Sequence, residues 1–367
     1  MIEAHFGESP PWSIGVEEEL MILDAETLLL SPGVETLVRE TEAVALPGRL
    51  KTELFASVVE LNTATCGSVA EAAEALAALR GAADEAARRN ALRLAGAGSH
   101  PISDPETQAI APEPRYREFV DYAGVSARVQ GVSGLHVHVG VPSADACFHA
   151  LERVVPWLPV VLALSANSPY FAGRETGFAS NRAPVLAQLP RSGAPPAFRS
   201  YAEWQAWVER LVRLGVTADY TRIWWDIRPH PRFGTLEVRM PDQPTSIEMT
   251  FAFVALIQAL VVTALREPPP AHDASRRGDY AHNRWAAARF GVEAALIHPD
   301  GEREVAVREL VAELLARVEP AARELGGSDL LARLDGHSCE GDLQLVVGRE
   351  HGLAAVCSDL VERTAGG

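Results

Sequence analysis

Lysine is almost absent from this chain of 367 residues: it has 33 basic side chains, and all but Lys51 are arginine. No Gly-x-x-x-x-Gly-Lys-Ser/Thr loop exists, and no Gly-x-Gly-x-x-Gly follows a strand. A nucleotide, if one is handled, must therefore be held by metals and arginines. Positive charge is scarce overall, with a formal net charge of -16, which argues against a nucleic-acid surface built on counterion release. The four cysteines stand far apart without a Cys-x-x-Cys pair, so neither a zinc site nor a disulfide framework is indicated. The first residues show no basic stretch followed by an apolar one, hence no secretory-signal pattern, and the expectation is a reducing cytoplasm. The longest apolar run, Met249 to Leu265, contains Gln258 and two threonines. It is short for a membrane span and reads as a buried core helix.

What is present is enough apolar sequence for one large domain or two ordinary ones. Residues 25–33 read as a turn or hairpin before a short helix from Val34 to Glu42, and Lys51–Thr65 reads as strand, at least in Val58–Thr63. Ser68 to Leu94 reads as an alanine-rich helix whose Ser68 and Glu71 form a capping box. Leu135–Val141 alternates as a strand. A helix from Ala144 to Ser165 should bend near Pro156 and Pro159, and Tyr201–Leu214 should be an amphipathic helix. Residues 166–199 lack periodicity, and a segment that long is usually either functional or mobile. Glu267-Pro268-Pro269-Pro270 reads as a linker, followed by a nearly all-helical region from Asp279 to Glu362. The expected organisation is a catalytic domain over 1–266 and a helical extension over 271–367 packed on it.

Four strands repeat one design. In Ser13-Ile-Gly-Val-Glu-Glu-Glu-Leu-Met-Ile-Leu23, alternation puts Glu17 and Glu19 on one face and Glu18 with Ile14, Val16, Leu20 and Ile22 on the other. Glu60 opposes Val59 and Leu61. His136 and His138 share a face opposite Leu135, Val137 and Val139, and Glu237 shares one with Arg239 opposite Leu236, Val238 and Met240. Each piece alone has an ordinary reading: a solvated strand edge, a surface carboxylate, a salt bridge across a pleat. Joined in one antiparallel sheet, the polar faces merge into an acidic concavity suited to Mg²⁺ or Mn²⁺. A metal-dependent hydrolase using His136 and His138 is the rival, although it would need histidines from further strands.

Gly-Val-Glu-Glu-Glu, Val-Glu-Leu-Asn-Thr, Ser-Gly-Leu-His-Val-His-Val-Gly, Leu164-Ser-Ala-Asn-Ser-Pro169, Ile-Arg-Pro and Thr235-Leu-Glu-Val-Arg-Met-Pro-Asp242 occur in order. Together they resemble the bacterial glutamate–cysteine ligase type 2 family of carboxylate–amine ligases. The resemblance implies an α+β fold like the catalytic domain of glutamine synthetase: a curved, mostly antiparallel sheet forming a funnel, with helices outside. It implies ATP and Mg²⁺ (or Mn²⁺), with glutamate or another carboxylate and an amine such as cysteine as small-molecule substrates. It carries metal-binding roles onto Glu17, Glu19, Glu60, Glu237 and His136, with His138 in the same motif, and phosphate or carboxylate contact onto Arg239 and Arg228. Asn167, Arg174, Asn181 and Arg182, in the irregular segment, are the substrate-binding candidates. Asp226 and His230 flank Arg228 and are candidates for orienting it. No nucleic acid or membrane is expected as partner, and a homodimer is the base-rate expectation.

Overall fold

The structure, a computed structural model, describes residues 2–268 and 273–366. Its centre is β1 (Ile14–Asp24), which is long enough to serve three neighbours. These are β3 (Val58–Thr63) on one edge, and β5 (Leu135–Gly140) followed by β4 (Leu92–Ala95) on the other. With β2 (Gly48–Thr52), β6 (Ile227–His230) and β7 (Thr235–Val238), the order is β6-β7-β5-β1-β3-β2, and every pairing in this sheet is antiparallel.

The helices are α1 (Val34–Thr41), α2 (Val69–Arg89), α3 (Pro114–Ala123), α4 (Ala144–Val154), α5 (Leu158–Ser165), α6 (Tyr201–Arg213), α7 (Ile247–Arg266), α8 (Arg276–Phe290), α9 (Val307–Leu325), α10 (Glu340–His351) and α11 (Leu353–Ala365), with shorter ones between them. One apolar face of the sheet, with Val16, Val137, Val139, Leu236 and Val238, packs into a single core with α4, α5, α7 and α9. The apolar run expected to be a core helix is α7, and its residues from Ala252 to Val262 are all buried. The extension thus shares the main core. Its expected linker falls partly on residues 269–272, outside the described residues.

Three local expectations are corrected. The strand read in Val58–Thr63 is β3, but the longer stretch Lys51–Thr65 is not one strand, because β2 and β3 pair with each other across a loop at 53–57. The alanine-rich helix ends at Arg89. Ala91 then turns with φ of 54°, and Leu92 and Leu94 pair with Asp24 and Ile22 as β4; tertiary pairing overrides the local helical bias. The C-terminal region also contains a small hairpin, Ala295–Ile297 with Glu304–Ala306. The cap of α2 forms as expected at Ser68 Oγ, which accepts the Glu71 N–H at 3.2 Å, while the Glu71 carboxylate reaches Gly67 N rather than Ser68 N.

The three consecutive carboxylates of β1 divide by pleat. Glu18 points into the core, fully buried. Arg80 of α2 grips it as a fork, Nη2 to Oε1 at 2.6 Å and Nε to Oε2 at 2.8 Å. Thr250 Oγ1 and Gln243 Nε2 donate to Oε1 at 2.7 and 2.9 Å. Burial penalises the carboxylate, yet Arg80 holds its pKa below the ordinary value. A buried, fully bonded pair of this kind is costly to break from one side only.

Arg80→Met should therefore lower unfolding free energy by about 3–5 kcal/mol. Arg88→Met, which removes the exposed pair with Asp84, should cost under about 0.5 kcal/mol. Chemical denaturation of both variants measures this, and equal losses would contradict the interior role of Glu18.

Candidate active site

The register of the sheet assembles the opposite, polar face. Across β6, β7, β5 and β1, Arg228 pairs with Glu237, Glu237 with His138, and His138 with Gly15. Next to that row, His136, Glu17, Asn62 and Arg49 lie across β5, β1, β3 and β2. Glu19, Glu60 and Lys51 form a third row across β1, β3 and β2. Opposed residues in neighbouring strands sit within contact of each other, so carboxylates distant in sequence converge. Gly15 contributes no side chain where His138 faces it, which leaves the centre of the face open.

His136 Nδ1 is 3.2 Å from Glu17 Oε2, and His138 Nε2 is 3.6 Å from Glu17 Oε1 and 3.9 Å from Glu237 Oε1. Potential ligand atoms of Glu17, His138 and Glu237 all lie within 4.8 Å of one another. Thr235 Oγ1 contacts His138 Nδ1 at 3.0 Å, which fixes the ring with Nε2 turned inward. The Nε2 atoms of both His136 and His138 are buried without a hydrogen-bond partner. Two orphaned imidazole nitrogens amid carboxylates are the donor set that a hard divalent cation takes, so the residues fit such an ion.

The electrostatics are those of a crowded anionic site. Burial raises Glu53, with Glu19 and Glu60 adding repulsion, so that its carboxyl is pushed up to about 8. Burial and then Glu17 push Glu60 up to about 7. Burial opposes ionisation of Glu237 as well, but Arg228 and Arg239 hold it well below the ordinary range. Glu17 is likewise held low against burial, by the hydrogen bond with His136 and by the neighbouring His138 ring. Burial and Arg239 lower His136; His138 is raised by Glu237 and Glu17 in spite of burial.

Two cavities flank the cluster. The larger, about 900 Å³, is lined by Gly15, Glu17, Arg49, Lys51, His138 and Arg232 among others. The smaller, about 390 Å³, meets Glu19, Glu53, His136 and Arg239, and further out Arg115, Arg182 and Arg222, with an apolar wall that includes Phe55, Phe119, Leu186 and Trp224. The acidic cluster is thus reached from both sides.

The structure brings together Glu17, Glu19, Glu60, His136, His138, Glu237 and Arg239. Arg239 donates to Glu237 and lies 3.4 Å from His136 Nδ1. Arg228, expected to contact phosphate or substrate carboxylate, lines neither cavity. Its Nε and Nη2 bind Glu237 at 2.5 and 3.2 Å, and its Nη1 binds the Thr221 and Ile223 carbonyls, so its fork is consumed in holding a carboxylate. Arg182 reaches the smaller cavity while donating to the Met240 and Arg239 carbonyls. It crosses over Gly134, where a Cβ would lie 2.1 Å from its Nη2. Gly134 N also donates to Glu19 Oε2 at 2.6 Å.

Three of the substrate candidates do not line the smaller cavity. Asn167 is fully buried and spends its amide on Gln243 O and Thr245 Oγ1. Arg174 is exposed on the hairpin Tyr170–Phe171/Arg174–Glu175. Asn181 precedes the short helix Arg182–Leu186, with its N–H on Ser168 O. Asp226 and His230 make no contact that orients Arg228: Asp226 binds Tyr280 and Arg284 of α8, and His230 stacks on Phe233 at 4.1 Å.

Sequence reasoning missed Glu53, although Arg49, Lys51 and Glu53 continue one alternation along β2 and past its end. It also missed the support from α8. Tyr280 Oη and Arg284 Nε donate to Asp226 Oδ2 at 2.7 and 2.8 Å, and the Asp226 carbonyl receives the Arg239 N–H at 2.8 Å. That contact joins residues too remote in sequence for any pattern to connect.

Glu53 and Glu60, whose folded pKa values of about 8 and 7 exceed the ordinary 4.5, bind protons in the folded state that the unfolded chain has released. Their contribution to stability is present below the ordinary value and lost as pH rises through 7 and 8. The Tm of metal-free protein should fall over this window, Mg²⁺ should restore it most at the upper end, and Glu53→Gln should flatten the slope. Calorimetry with chelator and with Mg²⁺ checks this; a metal-free Tm that rises across the window would contradict it.

Comparison with known proteins agrees with this geometry. The sequence profile of glutamate–cysteine ligase family 2 matches residues 13–344. A Rubrobacter xylanophilus protein with the provisional name glutamate–cysteine ligase 2-3 is 42% identical over 99% of this chain and 100% of its own length. A Solibacter usitatus protein with the provisional name glutamate–cysteine ligase 2 is 36% identical over 97% of this chain and 94% of its own. Among solved structures, the glutamate–cysteine ligase of Francisella tularensis in complex with AMP superposes with a TM-score of 0.74 at 16% identity, covering 98% of this chain and 89% of that one. A bifunctional glutathione synthetase from Pasteurella multocida gives a TM-score of 0.67 at 15% identity, over 97% of this chain and 52% of that one. The α+β architecture, an antiparallel sheet backed by helices, is accordingly that of the glutamine synthetase-like ligases, and the chain belongs to glutamate–cysteine ligase family 2.

Proposed function

We propose that the chain is an ATP-dependent carboxylate–amine ligase of the glutamate–cysteine type. The observation that carries this is the position of the acidic cluster, with its two orphaned histidine nitrogens and Arg239, between two cavities of different character. The larger cavity has room for a nucleotide and offers Arg49, Lys51 and Arg232 to phosphates. The smaller offers Arg115, Arg182, Arg222 and Arg239 to amino-acid carboxylates and an apolar wall to the amine. A hydrolase would need only one reactant cavity beside its cluster. Both candidate metal-ligating histidines, His136 and His138, come from one strand, and the family membership gives that rival no support.

A carboxylate is a poor electrophile. The donor carboxylate oxygen attacks the γ-phosphorus of ATP, the bond to the bridging oxygen breaks, and ADP leaves with that electron pair. The amine nitrogen then attacks the acyl carbon, phosphate departs, and the amine proton is lost, leaving an amide. Mg²⁺ ions held by Glu17, His138 and Glu237, and by Glu19, Glu53, Glu60 and His136, would neutralise the charge that builds on the phosphoryl oxygens.

The chain's own residues supply orientation and charge. Arg239 presents a guanidinium between Glu237 and His136, toward the smaller cavity. There it meets the transferring group or the donor carboxylate with a bidentate fork. Arg228 keeps Glu237 ionised and immobile, and Gln243 ties the backbone of Glu19 to Glu18 in the core, Oε1 accepting the Glu19 N–H at 3.1 Å. The apolar wall around Phe119 and Trp224 keeps water from the acyl phosphate before the amine arrives. Glutamate is the proposed donor and cysteine the first amine to test.

ADP release from ATP and Mg²⁺, with glutamate and a panel of amines including cysteine, should be amine-dependent. Arg239→Lys should reduce turnover by at least about a hundredfold with Tm retained, whereas Glu237→Gln should lose turnover and Tm together, because it leaves Arg228 and Arg239 without their buried counter-charge. ADP release indifferent to every amine, or parental turnover in both variants, would overturn the assignment.

A further inference from the structure

In a chain that uses arginine for every other basic side chain, the single lysine stands at the acidic cluster. Lys51 lies on β2, the edge strand of the sheet, directly opposite Glu60. Its Nζ is 3.3 Å from Glu60 Oε1, its side chain is 30% exposed, and it lines the larger cavity together with Glu17 and His138. Sequence alone gave this residue no role, since no phosphate-binding loop surrounds it.

The geometry points to Lys51 as a phosphate contact for the nucleotide in the larger cavity, an inference that rests on the ligase reading above. An ammonium has three donors. One is directed to Glu60, and the others remain available on the cavity side. The wall beside it carries carboxylates that repel a polyphosphate, and a compact point charge can bridge Glu60 and a phosphate oxygen where a planar five-donor fork would have to displace one of them. Lys51 lines the larger cavity and not the smaller one, where Arg115, Arg182, Arg222 and Arg239 stand. Lys51 would thus be a residue that touches the nucleotide, in addition to pairing with a candidate metal carboxylate.

The full chain offers a direct test, because Lys51 carries its only ε-amino group. Acetylation with an N-hydroxysuccinimide ester, read by mass spectrometry on the peptide containing Lys51, is run with Mg²⁺ alone, with Mg²⁺ and ADP, and with Mg²⁺ and glutamate. ADP should slow acetylation of Lys51 by about ten- to a hundredfold, whereas Mg²⁺ alone and glutamate should not. Lys51→Met and Lys51→Arg should weaken ADP binding in calorimetric titration by about the same factor, at unchanged Tm. A residue that only neutralised Glu60 would give neither ADP protection nor a loss confined to nucleotide affinity, and Lys51→Arg would behave as the parent. Amine-dependent ADP formation with an unprotected Lys51 and parental ADP affinity in both variants overturns this inference and leaves the ligase reading standing. Protection and weakened ADP affinity without any amine-dependent turnover sustain the nucleotide contact and overturn the ligase reading.

Discussion

The pleat of β1 is the constraint on which the site depends. Side chains alternate along a strand, so a slip of one residue in register would exchange its two faces. Glu18 in the core prevents that slip. Its carboxylate is bound by Arg80, Thr250 and Gln243, partners that exist only on the helical side of the sheet. With Glu18 anchored there, Glu17 and Glu19 must face the other way. A hydrophobic residue at 18 would fill the core too, but it would not discriminate between faces by several hydrogen bonds at once. The buried pair serves specificity of facing, the role in which buried polar groups are best attested.

From that anchor the antiparallel register does the rest. Glu60, His136, His138 and Glu237 arrive opposite or diagonal to Glu17 and Glu19, and burial, with repulsion among the carboxylates added to it, drives Glu53 and Glu60 toward the protonated form. Arg228 and Arg239 offset part of this at Glu237. The remainder is an acidic concavity, and its repulsion is of the kind that a bound polyvalent cation would offset.

The C-terminal region is part of the same device. Tyr280 and Arg284 clamp Asp226 beneath the backbone of Arg239. Glu340 of α10 accepts the N–H groups of Thr245 and Ser246 at 2.8 and 3.1 Å, where the chain enters α7. Helices that read as an extension therefore hold the ends of the catalytic strands in place. Asp242 plays a similar part beneath the irregular segment, accepting from Asn167 N, Ser168 Oγ and Ser180 Oγ. This is why Asn167 is a brace and not a lining residue.

Alternation alone was enough to determine which faces of β1, β3, β5 and β7 are apolar and which carry Glu17, Glu19, Glu60, His136, His138, Glu237 and Arg239, because strand periodicity is local and written residue by residue. The capped start of α2 and the burial of α7 were legible for the same reason. What only the tertiary structure decided were the partnerships: Arg80 with Glu18, Arg228 with Glu237, Glu53 joining the cluster from a loop, Arg174 left in solvent, and Lys51 in the wall of the larger cavity. Each depends on which segments, tens to hundreds of residues apart, the sheet register and helix packing set against one another. Long-range contacts of that kind leave no periodic trace in the chain that makes them.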